Sequence, residues 1–202
     1  MKLKASAATY SYSSGHSSIK EQGQTASWKS MLFGISLLAT LTIAFYWPSL
    51  KYEFVFDDIN IIKKFYNIRH WGLKQLFFHH ARWISFWLST VCYKFDGFNP
   101  FAFRLLNLIF HITTGATLTT LFYLMLTNLK SKSFFKEYAT EIALLFGALF
   151  LLHPAQTQTV TYVVQGQLEG LAALFVSSIL LCYFVAQQSI GLKKTILISL
   201  TF

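Results

Sequence analysis

Residues Phe101–Thr127 read FAFRLLNLIFHITTGATLTTLFYLMLT. A helix rises ~1.5 Å per residue and the hydrocarbon core of a bilayer is ~30 Å thick, so this stretch is long enough to cross. Its one full charge, Arg104, lies close to its start. In lipid the backbone must satisfy its own hydrogen bonds, and a spanning segment of this composition is therefore helical. On that helix Arg104, Asn107 and His111 fall at i, i+3 and i+7, which makes one polar stripe. Such a stripe either faces a functional cavity, or Arg104 snorkels to the interface while Asn107 and His111 bond neighbouring helices.

The flanking sequence repeats the apolar pattern. Met31 to Trp47 is a block ended by Phe45-Tyr46-Trp47-Pro48. It offers no small-residue cleavage site and reads as an uncleaved signal anchor whose aromatic end sits in the interface. Ile142 to Leu152 is too short to cross alone, so it must extend back through Tyr138, or the strand-like run Thr157 to Val164 must be buried by protein. Leu168 to Ala186 is a clear span, and Thr195 to Phe202 begins another apolar segment. The expected fold is an all-α membrane protein with four transmembrane helices (about 31–48, 101–127, 138–153 and 168–186) and the start of a fifth at 195. A large outer loop, 49–100, separates helices 1 and 2 and holds interfacial helices. Within it Trp83, Phe86, Trp87, Val91 and Phe95 have helical spacing, which suits a helix in the membrane interface or the core face of a small subdomain.

Composition agrees with this class. Of the 202 residues, 54% are apolar and 12% charged, against about 25% charged in soluble domains. The net charge is +9, but the basic residues cluster between the apolar blocks rather than on one soluble face. They therefore read as topology signals, and no nucleic-acid partner is expected. The Ser-rich segment 1–30, with Lys2, Lys4, Lys20 and Lys29, is expected to be a disordered cytoplasmic tail. Lys130, Lys132 and Lys136 and the Lys193-Lys194 turn would share its side, with Asp57-Asp58 outside. Cys92 and Cys182 suggest neither a disulfide framework nor a metal site. His79, His80 and His153 have no metal-ligand spacing, and no metal is expected.

Asp57-Asp58 follows Glu53-Phe54-Val55-Phe56 just beyond the first span. A carboxylate placed near the membrane with a like-charged neighbour can serve as a general base. It can equally be a helix cap or a turn. His153-Pro154 closes the third segment and Glu169 opens the fourth.

Three stretches carry a resemblance. They are Phe54-Val55-Phe56-Asp57-Asp58; Gly97-Phe98-Asn99-Pro100-Phe101 with Phe103 to Leu108 and His111; and Leu145-Phe146, Leu152-His153-Pro154, Gln156-Thr157-Gln158, Val160 to Val163 and Leu171 to Phe175. Their order and spacing resemble the N-terminal membrane part of GT-C fold protein O-mannosyltransferase-like proteins that carry tetratricopeptide repeats, especially bacterial members, over about residues 31–190. The resemblance implies that 31–202 is the N-terminal part of a GT-C-like membrane domain in a glycosyltransferase. That enzyme would transfer a sugar, mannose in the better-known relatives, from a polyprenyl-phosphate donor to a Ser or Thr hydroxyl of a protein.

It further implies catalytic roles for Asp57 and Asp58, donor-phosphate binding by Arg82, Arg104 and His153, a polyprenyl-phosphate-linked sugar as donor substrate with no certain cofactor beside it, and a bacterial inner membrane or, alternatively, the endoplasmic reticulum. The chain departs from the family pattern at Trp83, where Pro is common, and at Gln167, where Arg is usual. It carries no tetratricopeptide repeats and is expected to be a fragment, inactive alone. The competing expectations are a non-catalytic membrane remnant or assembly partner, and a transporter fragment with the polar stripe lining a pathway.

Overall fold

The computed structural model describes residues 28–63, 70, 74–75, 77, 82–130, 134–189 and 199. Among them all regular structure is helical and no strand occurs. Five helices carry the fold: α1 (Trp28–Lys51), α2 (Trp83–Asp96), α3 (Pro100–Thr127), α4 (Ala139–Leu152) and α5 (Val163–Gln188). Of these α1, α3 and α5 are each long and apolar enough to cross a membrane. A fourth span arises if α4 is joined to the helical turns of Pro154–Thr161, from which it bends by 47°. The fold is therefore the expected all-α membrane class with three to four spans. The segment expected to start at 195, apart from Ser199, and the Lys193-Lys194 turn, Lys132, His79, His80 and residues 1–27 of the tail lie outside the described residues. Trp28 to Ser30, placed in the tail by composition, belong to α1.

Each helix begins and ends for a local reason. Pro100 starts α3 at a position where its missing N–H costs nothing, and Asn99 Oδ1 accepts the Phe101 N–H at 3.1 Å. His153 breaks α4: its backbone is extended ahead of Pro154, and its Nδ1 accepts the Ala155 N–H at 3.1 Å. The run Thr157 to Val164, strand-like by its β-branched residues, is helical on both sides of an extended Tyr162. Pro154 opens a new turn, and the Thr161 hydroxyl bonds the Thr157 carbonyl at 2.7 Å within the next. Tertiary contact overrides the residues' β preference.

α3 is the hub. Near the start of α1, Met31 packs with Tyr123 and Leu126 near the end of α3; near the end of α1, Tyr46 and Leu50 pack with Leu108 near its start. α1 and α3 are therefore antiparallel. α4 also runs against α3, with Ala139 and Ala143 beside Tyr123 and Leu126 while Leu151 reaches Gly115. α5 runs alongside α3, its Gly166 against Asn107 and its Gly170 near Phe110. The Asn107 amide lies where a Gly166 side chain would be, so glycine lets the two spans close on each other. One end of the bundle gathers the Asp57-Asp58 turn, the start of α3, the 153–162 turns and the start of α5. The other gathers the start of α1, Lys130, Lys136 and the start of α4.

α2 lies against the first end. Its buried residues are Ser89, Thr90 and Cys92, whereas Trp87 and Phe95 are exposed. Trp87 and Phe95 of the aromatic stripe thus face outward, whereas Phe86 packs against the core around Phe54, Cys92 and Phe103, so the stripe is divided between the two settings. Cys92 packs with Phe54, Phe103 and Val163, and this burial pushes its thiol up to about 11. Cys92 and Cys182 are both free.

Candidate active site

The two aspartates, adjacent in sequence, have different fates. Asp58 is 2% exposed. Its Oδ2 accepts the Val163 N–H and its Oδ1 the Val164 N–H, each at 3.0 Å. Those are the first two amides of α5, which no intrahelical carbonyl can reach. Asp58 is thus a helix cap supplied from 105 residues away, and its charge complements the positive helix N-terminus. Burial pushes its carboxyl above the usual carboxylate range, opposed by the amides of Val164 and Val163 and by the Arg104 charge. Asp57 is exposed.

The preceding Phe56 has φ 49°, the one positive φ of a non-glycine residue among those described. A bulky residue held there stores about 1–2 kcal/mol of strain. The strain has a visible use: it lets the chain reverse, with the Asp58 N–H on the Val55 carbonyl at 3.1 Å, so that one aspartate turns in and the next stays out. The exposed Phe56 ring meets Tyr162 edge-on at 5.7 Å.

Asp57, Asp58 and Arg82 line one open cavity of about 770 Å³. Its opposite wall comes from Gln158, Tyr162, Gln165, Leu168 and Glu169. There Gln158 donates to Gln165 Oε1 at 3.5 Å, and Gln165 donates to Glu169 Oε1 at 2.5 Å, an amide chain that orients an exposed carboxylate. Glu169 sits on a π-helical turn, Gly166–Gly170, a local widening common at functional sites. The sequence names Glu169 and Gln158 without assigning this wall a role. Its one available signal was Glu169 itself, a charge in the first turn of an otherwise apolar span.

Arg104 and His153 are not brought to this cavity. Arg104 is buried, with Nε donating to the Thr161 carbonyl at 2.8 Å and Nη2 to the Glu53 carbonyl at 2.6 Å. Asn107 Nδ2 reaches the Tyr162 carbonyl at 3.0 Å and the Val163 carbonyl at 3.3 Å. His111 Nε2 lies 3.0 Å from the Leu151 carbonyl. The stripe therefore ties the broken backbone around 151–163 to α3, as interhelical glue, while His111 also lines a cavity of about 160 Å³ with Phe150, Gln156 and Glu169. His153 is exposed and caps its own turn. Among the described residues no group of three His, Cys, Asp or Glu side chains could hold a metal.

No family model and no solved structure matches the chain. Two curated proteins do: protein O-mannosyl-transferase TMTC3 of Homo sapiens, 27% identical over 164 residues, and the protein of the same name from Mus musculus, with the same identity and length. The chain is similar to protein O-mannosyl-transferases. The match covers 74% of this chain and 16% of either relative, so the chain spans about a sixth of their length.

Proposed function

We propose that this chain forms the acidic-loop end of a membrane glycosyltransferase that moves mannose from a polyprenyl-phosphate donor to a Ser or Thr hydroxyl of a protein. The observation that carries this reading is the pairing of an exposed carboxylate, Asp57, with an exposed guanidinium, Arg82, in one cavity at one end of the bundle. The likeness to mannosyl-transferases supports it.

The chemistry needs both groups. The acceptor oxygen forms a bond to the sugar anomeric carbon, and the bond from that carbon to the phosphate oxygen breaks. The hydroxyl proton passes to the Asp57 carboxylate. The electron pair leaves with the polyprenyl phosphate, whose growing charge Arg82 faces. Asp58 acts through structure, fixing the α5 wall against the loop that carries Asp57. The phosphate role falls to Arg82, because Arg104 and His153 do not line the cavity.

Short basic segments at the opposite end of the bundle support an outer or lumenal side for the cavity. The mammalian origin of both relatives weighs toward the endoplasmic reticulum over a bacterial inner membrane. Arg104 and Asn107 are turned to backbone carbonyls, which weighs against a transporter pathway along them.

The test is Asp57→Asn in the full-length protein, expressed in membranes supplied with a polyprenyl-phosphate mannose donor and a Ser/Thr-rich acceptor. Loss of transfer with normal insertion is expected. Wild-type transfer by this variant would remove the carboxylate from the reaction and leave the non-catalytic assembly role as the better reading.

A further inference from the structure

The polar stripe of α3 does not stop at His111. Thr114 continues it, three residues further along the same face. Arg104, Asn107 and His111 each reach a backbone carbonyl of the 151–163 segment, and Thr114 reaches none. The other threonines of α3, Thr113, Thr117, Thr119, Thr120 and Thr127, donate to the carbonyl four residues back at 2.6–3.0 Å, the usual outlet of a hydroxyl inside a helix. Thr114 is 2% exposed, yet its Oγ1 has no partner among the described residues. A buried hydroxyl without a partner is destabilising, and it is explained when a ligand supplies the missing bond.

Thr114 lines the cavity that His111 also faces, between α3, α4 and α5. The floor of this cavity, His111 and Thr114, is buried. Gln156 and Thr159 of the helical turns are half-buried, and Glu169 is exposed, so the mouth lies at their end. Phe150 of α4 and Ala173 of α5 complete the wall. The Leu151 carbonyl beside His111 Nε2 only accepts, so the neutral ring carries its proton there and leaves Nδ1 as an acceptor. Phe150 stacks on that ring at 5.3 Å and holds its plane.

The lining thus offers two hydroxyls, an amide, an imidazole nitrogen and one carboxylate, with no Lys or Arg among them. A carboxylate unaccompanied by a cationic side chain repels phosphate and other anions. The polar floor is a poor place for a hydrocarbon chain. Neutral groups that both donate and accept, set beside a carboxylate that only accepts, suit a ligand carrying several hydroxyls. The volume of about 160 Å³ equals roughly five waters of bulk liquid, room for one small ring and not for a string of them.

We infer that this cavity binds a single uncharged pyranose sugar, with its hydroxyls on Thr114, His111 and Glu169. The site goes beyond the proposed transfer reaction and does not depend on it. Glu169 is the one residue lining both this cavity and that of Asp57. The same ring chemistry is presented by a free monosaccharide and by a sugar already attached to a protein.

The experiment titrates the full-length protein in nanodiscs with methyl mannoside, followed by ligand-observed NMR. Saturable binding is expected. Thr114→Val keeps the shape of the side chain and removes only the hydroxyl, and it should weaken binding about tenfold, the worth of one good hydrogen bond. Without ligand, the same variant should melt no lower than wild type, since its hydroxyl bonds nothing. Adjacent exposed alanines then separate the two cavities. Ala173→Trp fills this one and should abolish binding, whereas Ala172→Trp fills the Asp57 cavity and should leave it.

Mannose phosphate should bind at least tenfold more weakly than methyl mannoside. A mannosylated Ser/Thr peptide that competes better than methyl mannoside identifies a protein-borne sugar as the ligand, and one that competes equally or worse identifies the free sugar. Absence of saturable binding leaves water as the occupant and overturns the assignment. So does binding indifferent to Thr114→Val, or a lowered melting temperature in that variant. Binding lost in Ala172→Trp and kept in Ala173→Trp would move the sugar to the Asp57 cavity, refuting this site while leaving the transfer reading intact.

Discussion

In α3, Arg104 lies buried with Nε and Nη2 on the carbonyls of Thr161 and Glu53; Arg82 and Asp57, both exposed, line one cavity. The same contrast divides Asp58, which holds two backbone amides, from its neighbour Asp57. Around the broken backbone of 151–163 the charged and polar groups complete hydrogen bonds that no helix supplies. Around the cavity they are left for something that is not protein. Charge at a membrane-facing position therefore does not mark chemistry by itself. What separates the two regions is whether the group is buried against backbone amides and carbonyls of the fold or stands exposed in the cavity.

The largest effect should come from breaking this contrast at its reactive end. Asp57→Asn is expected to lower transfer by ~10²–10⁴, the usual reach of general base catalysis, while thermal unfolding in detergent moves by less than about 0.5 kcal/mol. Substantial destabilisation would place Asp57 in the same class as Asp58.

Next comes the buried arginine. Arg104→Met strands the Thr161 and Glu53 carbonyls and leaves buried Asp58 without its opposing charge. The expected loss is about 3–5 kcal/mol, read by titration with denaturing detergent. Arg82→Met, being exposed, should change stability by less than about 0.5 kcal/mol and weaken donor use, seen as a raised KM for the lipid donor. Equal destabilisation by the two would dissolve the distinction.

Asp58→Ala removes the cap from α5 and should cost about 2–3 kcal/mol, as for hydrogen bonds to a charged acceptor. Asp58→Asn keeps one acceptor and should recover roughly half of that. Amide hydrogen exchange at Val163 and Val164 is the direct readout, and protection unchanged from wild type in the alanine variant would refute the cap.

The smallest effect is at Phe56. Glycine is at ease at φ 49°, so Phe56→Gly should raise stability by about 1 kcal/mol and yet reduce transfer, because the turn that keeps Asp57 outward is no longer enforced. A gain in stability with transfer unchanged would show the strain to be incidental.

The sequence by itself determined the class, since the apolar blocks of 31–47, 101–127 and 168–186 leave a lipid-facing helix as the only backbone solution. It also singled out Asp57-Asp58, Arg82 and the α3 stripe as the residues to explain. It could not say that the β-branched run Thr157 to Val164 is helical, nor that α5 begins at Val163 rather than near Leu168, because the cap that allows both comes from Asp58, more than a hundred residues earlier. It could not divide Asp57 from Asp58, or Arg82 from Arg104. Neighbours in sequence share a composition, but their burial and partners depend on segments far away in the chain. Burial and partners are what turn one carboxylate into a structural clamp and leave the next one open to a substrate.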